Sequence, residues 1–178
     1  MRSSFVSLVV LVLVGFGSLV VFGQSPRPTS RPFVYYDMIF AYPAELSLIP
    51  PKGQTGGPIT FTNFDGNYGH GGIVPRNGVD VTFSRRSKEG KSLAEIIADQ
   101  TKGDQRIFSS STQFNGNLAF KVVTDIDFGV FKMRRIAVYF DRGDIYIYQI
   151  FADFYPDDPN AKTTESLVDG MLSTVRFR

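Results

Sequence analysis

DIYIYQIFADFYP, residues 144 to 156, decides the fold. Written as a strand, it sends Ile145, Ile147 and Phe151 to one side and Tyr146, Tyr148, Ile150 and Phe154 to the other, because side chains of an extended chain alternate between faces. Both faces are apolar. A strand with one face in water alternates apolar and polar residues, so this one belongs at the centre of a sheet covered on both sides. The rest of the chain must supply strand neighbours and two covers.

The neighbours stand immediately upstream. RIFSSSTQF (106–114), NLAFKVVTDIDF (117–128) and FKMRRIAVYF (131–140) are extended patterns separated by Asn-Gly, Phe-Gly and Arg-Gly turn signals, as an antiparallel meander requires. Further upstream, YYDMIFAYP, ELSLIPP and PITFTNF predict three short strands. A fourth, GVDVTFSRR, alternates Val79, Val81 and Phe83 with polar residues. Two segments change period. In SLAEIIADQTKG, Leu93, Ile96, Ile97 and Gln100 take helical spacing, Gly103 stops the run, and Ser92 with Glu95 three residues on forms a capping box. The closing NAKTTESLVDGMLSTVRF carries Val168, Met171, Leu172 and Val175 at i, i+3, i+4 and i+7, with Pro159 near the first turn. The expectation is an α+β domain: a central antiparallel sheet of about six strands flanked by helices on both faces, an α/β/α sandwich.

The 178-residue chain begins with Arg2 and an apolar run from Leu8 to Gly23, the pattern of an export signal cut before Gln24. An uncleaved anchor is the alternative, since Phe5 to Phe22 reaches the lower edge of a bilayer-spanning length. Residues 24–34, QSPRPTSRPFV, predict an extended tether, and the domain is expected over 35–178. This places the protein outside the cytoplasm, periplasmic or secreted. Without Arg2, 18 Lys and Arg face 17 acids, a net +1 that offers no basic face for nucleic acid or for an anionic membrane. With no Cys, disulfides, thiolate metal sites and a Cys nucleophile are excluded.

Several motifs reduce to local structure. Gly90-Lys91-Ser92 before a helix lacks the first glycine of a phosphate-binding loop, where Arg85 stands, so no nucleotide is expected. Arg142-Gly143-Asp144 reads as a hairpin tip with Gly143 supplying positive φ, and Asp127-Phe128-Gly129 as another turn. Ser84 and Ser109 to Ser111 lack a G-x-S-x-G elbow, which leaves a Ser/Lys pair as the remaining nucleophilic option. Asp125 and Asp127, at i and i+2 on one strand face, and Asp157 and Asp158 are the paired carboxylates; a solvated strand end and a helix approach are the plainer readings.

One stretch keeps functional promise. TNFDGNYGHGG, residues 62–72, holds the chain's one histidine among four glycines. Asn63, Asp65 and Asn67 alternate like calcium ligands, but Tyr68 and Val74 occupy the positions where that loop needs Gly and Glu. His70 lacks the companions of a zinc site, so neither metal nor cofactor is expected. A glycine-dense loop carrying Asp65, Asn67, Tyr68, His70 and Arg76 is the candidate binding site.

The order of elements resembles the PsbP-like superfamily. The resemblance rests on Tyr42-Pro43, the Ile59–Phe64 strand, Gly71-Gly72-Ile73-Val74-Pro75 before a Val-rich strand, the capped helix, the meander and the closing MLSTVRF, and it covers residues 35–178. Members include extrinsic photosystem subunits, a Ran-binding nuclear import factor and exported bacterial proteins that share a stretch like Thr62 to Pro75. Where the family often has Trp after the Tyr-Pro, this chain has Leu46. The resemblance implies a helix-flanked antiparallel sheet and binding in preference to catalysis. Read together, the sequence points to an exported non-catalytic domain engaging another envelope or secreted protein. The alternatives are a hydrolase built on a Ser/Lys or carboxylate pair and a small-molecule or metal carrier.

Overall fold

The computed structural model describes residues 30–49, 56–65 and 74–178; the expected export segment, residues 24–29 of the tether and the centre of the glycine-rich loop lie outside the described residues. In chain order the elements are β1 (Ser30–Tyr35), β2 (Met38–Pro43), β3 (Ser47–Ile49), β4 (Ile59–Thr62), β5 (Asp80–Ser87), α1 (Leu93–Gln100), β6 (Gln105–Phe114), β7 (Asn117–Asp127), β8 (Lys132–Arg142), β9 (Tyr146–Phe154), α2 (Ala161–Leu172) and β10 (Arg176–Phe177).

The doubly apolar strand is β9, and it lies at the middle of a seven-stranded antiparallel sheet ordered β3-β4-β5-β9-β8-β7-β6. Tyr148, Ile150, Ala152 and Phe154 enter the larger core, whose cover is α2 together with a second, three-stranded sheet ordered β1-β2-β10. Ile147 and Phe151 point the other way, into a smaller core under Ile96 and Ile97 of α1. The architecture is therefore the expected α+β sandwich, with seven strands in the main sheet.

The larger core is dense in aromatics. Phe40 of β2 stacks on Phe83 of β5 with centroids 4.0 Å apart, and Phe61 meets both rings edge-on. Leu46 is fully buried there, its N–H donating to Pro43 O at 3.1 Å. On the opposite side, α1 starts with the expected capping box: Ser92 Oγ accepts from Glu95 N, and Glu95 Oε2 accepts from Ser92 N at 2.7 Å. That arrangement satisfies two of the helix's orphan donors.

Three expectations need correction. The sheet begins at Ser30, so residues 30–34 of the expected tether form β1, paired along its length with β2. Pro32 is tolerated because β1 is an edge strand and need not donate outward. YYDMIFAYP is not one strand; Tyr36, at φ 56°, and Asp37 make the turn between β1 and β2. Finally, α2 ends at Leu172, so Val175 is buried beyond the helix, next to β10. Its helical spacing coincides with a hydrophobic position in the chain returning to the sheet.

The polar partners in the β5 alternation also turn inward. Asp80 and Thr82 face the α1 side of the sheet, opposite Asp153 and Phe151 of β9. Thr82 Oγ1 donates to Asp80 Oδ1 at 2.9 Å, while Asp153 is held by Arg135 through two 2.7 Å hydrogen bonds. Burial, with the Asp153 carboxylate opposing, pushes Asp80 up to about 6 against the softening effects of Thr82 and Arg135. Because the folded state then holds this proton more tightly than the unfolded chain, Asp80 favours folding at low pH. That contribution is lost as pH rises from the ordinary carboxylate range through about 6. Asp80→Asn should therefore raise stability relative to the parent at pH 8 by about 1–3 kcal/mol and have little effect at pH 4, measured as the difference between two urea titrations.

Candidate functional site

The glycine-rich loop leaves the sheet after β4 and returns before β5, and the described residues show how its two ends are held. Phe64 on the outgoing side packs with Val74 on the returning side, in a cluster with Met133, Phe131 and Tyr155. Asn63 spans the same gap: its Nδ2 donates to Asn77 O at 3.1 Å and its Oδ1 accepts from Val79 N at 2.9 Å. Asn77, at φ 59°, donates its N–H to Asp158 Oδ2 at 2.7 Å, and Gly78 N donates to Pro75 O at 2.9 Å. A Cβ on Gly78 would come within 2.8 Å of Pro75 O, 2.9 Å of Val74 Cγ1 and 3.0 Å of Phe64 Cδ1, so this position has room only for glycine.

Arg76 closes the arrangement. Its Nη1 lies 2.6 Å from Asp157 Oδ1 and 3.3 Å from Asp158 Oδ1, and its guanidinium sits 4.3 Å above the Tyr155 ring. The hydrogen bond from Arg76 holds Asp157 below the usual carboxylate range. Asp157 and Asp158 therefore serve the loop's returning arm, contrary to the expectation that they address the α2 dipole. Arg76 is the anchor through which they act.

Of the five sequence-predicted site residues, Asp65 and Arg76 flank the loop on its two arms, and Asp65 is exposed and already engaged. Asn67, Tyr68 and His70 lie outside the described residues. Sequence reasoning missed Asn63, Gly78, Tyr155 and Asp158 as the stem of the loop. Asn77-Gly78 is a turn signal that marks one of them, but the pairing of Asp158 with Asn77 spans 81 residues and has no local signature. Beside the stem, the β7–β8 hairpin exposes Phe128 and Val130, the latter 88% accessible, while Phe128 stacks on Phe131 at 4.9 Å.

The other chemical candidates are occupied by structure. Asp125 receives Arg134 Nε at 2.9 Å and Nη2 at 3.3 Å; Asp127 accepts from Gly129 N at 2.7 Å and faces Lys132. Lys88, Lys91, Lys121 and Lys132 each pair with an aspartate, and among the described residues no serine hydroxyl is hydrogen-bonded to a lysine ammonium; Ser166 Oγ donates only to the Lys162 carbonyl within α2. Among these residues there is also no group of three or more His, Asp or Glu placed to hold a metal, and no helix long and apolar enough to cross a membrane. Arg142 lies 3.9 Å from Asp37 and over the Phe177 ring at 4.4 Å, so its side chain turns back onto the fold, while Gly143 and Asp144 form the exposed tip of the hairpin.

The layered sheet, the capped α1 and the α2–β10 return define the PsbP-like fold, as solved structures bear out. Cyanobacterial PsbP (CyanoP) from Synechocystis matches with a TM-score of 0.55 at 15% identity, over 91% of this chain and all of that one. LpqN of Mycobacterium tuberculosis, described as involved in cell envelope biogenesis, matches at 0.50 with 14% identity, over 83% of this chain and 89% of that one. A Bacteroides thetaiotaomicron protein matches at 0.51 with 10% identity, over 80% of this chain and 45% of that one. No family model matches the chain, and no curated protein matches it by sequence.

Gly78→Ala tests the stem. The added methyl must displace backbone and two packed side chains, so a loss of about 1–3 kcal/mol in chemical denaturation is expected, against no loss or a gain of up to about 1 kcal/mol for Gly170→Ala, a position inside α2 where an added Cβ meets no atom within 4 Å.

Proposed function

We propose that this chain is an exported accessory domain that docks on another envelope or secreted protein through the loop between Asp65 and Arg76. The observation that carries this reading is the clamp itself. Asn63, Gly78, Arg76 and Asp158 hold the two arms of a glycine-dense segment in one geometry, next to a hairpin tip that exposes Phe128 and Val130. A rigid stem lowers the ordering penalty that a binding loop incurs on association, and exposed aromatic and aliphatic tips are the anchors that interfaces use.

Three further points support it. Residues 1–23 carry the pattern of an export signal, which supports a place in the periplasm or outside the cell. The fold is shared with LpqN, a protein involved in cell envelope biogenesis. Asp125, Asp127, Asp157 and Asp158, with Lys88, Lys91, Lys121 and Lys132, are committed to ion pairs. Tyr68 and His70 are the proposed contact residues, with Asp65 and Asn67 as polar contacts and Arg76 as the anchor.

Affinity capture from the native host tests the proposal. The parent chain is expected to recover a protein partner, and Tyr68→Ala with His70→Ala to lose it while keeping the parent's melting temperature and circular dichroism. Recovery of the same partner by the double variant would remove the loop from the interface.

A further inference from the structure

The far edge of the main sheet has a character that the loop does not explain. β6 is ten residues long and pairs only with β7, so among the described residues its outer edge presents unpaired backbone N–H and C=O groups. Sheet edges are ordinarily blunted by charge, proline or short length. Here Arg106 is the one charged residue of the strand, no proline interrupts it, and the irregularity at Ile107 sits near its start, which leaves Phe108 to Phe114 in regular register. Ile107 and Phe108 near the start of the strand are each 49% exposed, and Leu118 of β7, opposite Gln113 near its other end, 71%.

Both faces next to this edge are hollow. On the α1 side, the helix covers the middle of the sheet and stops short of β6, which leaves a cavity of about 370 Å³ lined by Leu93, Ala94, Ile97, Ala98, Arg106 and Phe120. A second cavity of about 190 Å³ adjoins it through Leu93 and Phe120 and reaches Ser111 and Leu118. On the α2 side, a hollow of about 150 Å³ lies between Phe108, Val123 and the Lys121, Glu165 and Asp169 side chains. A strand laid along β6 would send alternate side chains into these two sets of hollows, the arrangement by which strand addition gains affinity from main-chain bonds and specificity from side chains.

We propose that β6 is a docking edge for an extended segment of a partner protein, added as an eighth strand. Every second side chain of that segment is apolar and enters the groove beside α1, and a carboxylate lies near its Arg106 end. The charge follows from Arg106: its Nη2 donates to Thr101 Oγ1 at 3.1 Å, it lines the apolar groove, and it has no ion-pair partner among the described residues. A carboxylate there would gain a bidentate, charge-assisted partner. This edge is at the opposite side of the sheet from the β4–β5 loop, so the inference stands independently of the loop reading.

Hydrogen exchange on the full chain provides the test, using a synthetic peptide of about ten residues with one Glu followed by alternating Val and Thr. Exchange of the β6 segment is expected to slow by about tenfold or more at saturation, and an isomer with the Val and Thr residues in blocks to bind at least about tenfold more weakly. Arg106→Gln should abolish the preference for this peptide over its Gln analogue. Ala98→Glu, at an exposed helix position that opens on the groove, should weaken binding with no loss of melting temperature. The Tyr68 and His70 double variant should bind the peptide like the parent. No slowing at millimolar peptide, or equal binding of the two isomers, would overturn the proposal. So would protection of β6 that grows with protein concentration alone, which would identify a second copy as the occupant.

Discussion

Everything in this molecule depends on burying both faces of β9. A strand carrying Ile147 and Phe151 on one side and Tyr148, Ile150 and Phe154 on the other is stable only when each face has its own cover. At about 25 cal/mol per Å² of apolar surface removed from water, either exposed face would cost several kcal/mol, comparable to the whole stability of a domain. The chain meets this constraint unequally. One face receives α2 and the three-stranded sheet, giving an aromatic core around Phe40, Phe61 and Phe83; the other receives only the two turns of α1.

That inequality shapes the open surface of the sheet. Because α1 is eight residues long, it shields β8, β9 and the near side of β7, and the flanks of the sheet on its side remain partly open. On the β5 flank the open surface is lined by Asp80, Thr82, Asp153 and Arg135; on the β6 flank it is an apolar groove with a lone arginine. At one end of the sheet, the stem made by Asn63, Gly78, Arg76 and Asp158 holds the glycine-rich loop. The docking roles proposed for the loop and for the β6 edge both rest on this frame.

Much of this was legible in the residues. The two apolar faces of β9, the Val79-Val81-Phe83 row leading into β5 and the Ser92–Glu95 capping box are patterns of period two or local capping, which need no knowledge of the tertiary structure. Local patterns failed where partners are distant. Ser30 to Val34 looks like a tether because of its composition, yet pairing with β2 makes it a strand. The acids at 157 and 158 look like a helix approach until Arg76 and Asn77 are brought against them. Asp80 reads as a solvent-facing residue of an alternating strand, and only the pairing with β9, which brings Asp153 and its partner Arg135 alongside, makes its surroundings half-buried. The site itself was half legible: glycine density marked the loop, whereas its stem is built from contacts across the fold.

Native-state hydrogen exchange tests the central role of β9 most directly. If double burial of this strand organises the domain, the amides of Ile147 to Phe154 will exchange only through global unfolding, with the largest opening free energies in the chain. Those of the edge strands β3 and β6 will exchange through smaller, local openings. Exchange of β9 ahead of either edge, or with an opening free energy well below global stability, would contradict the account.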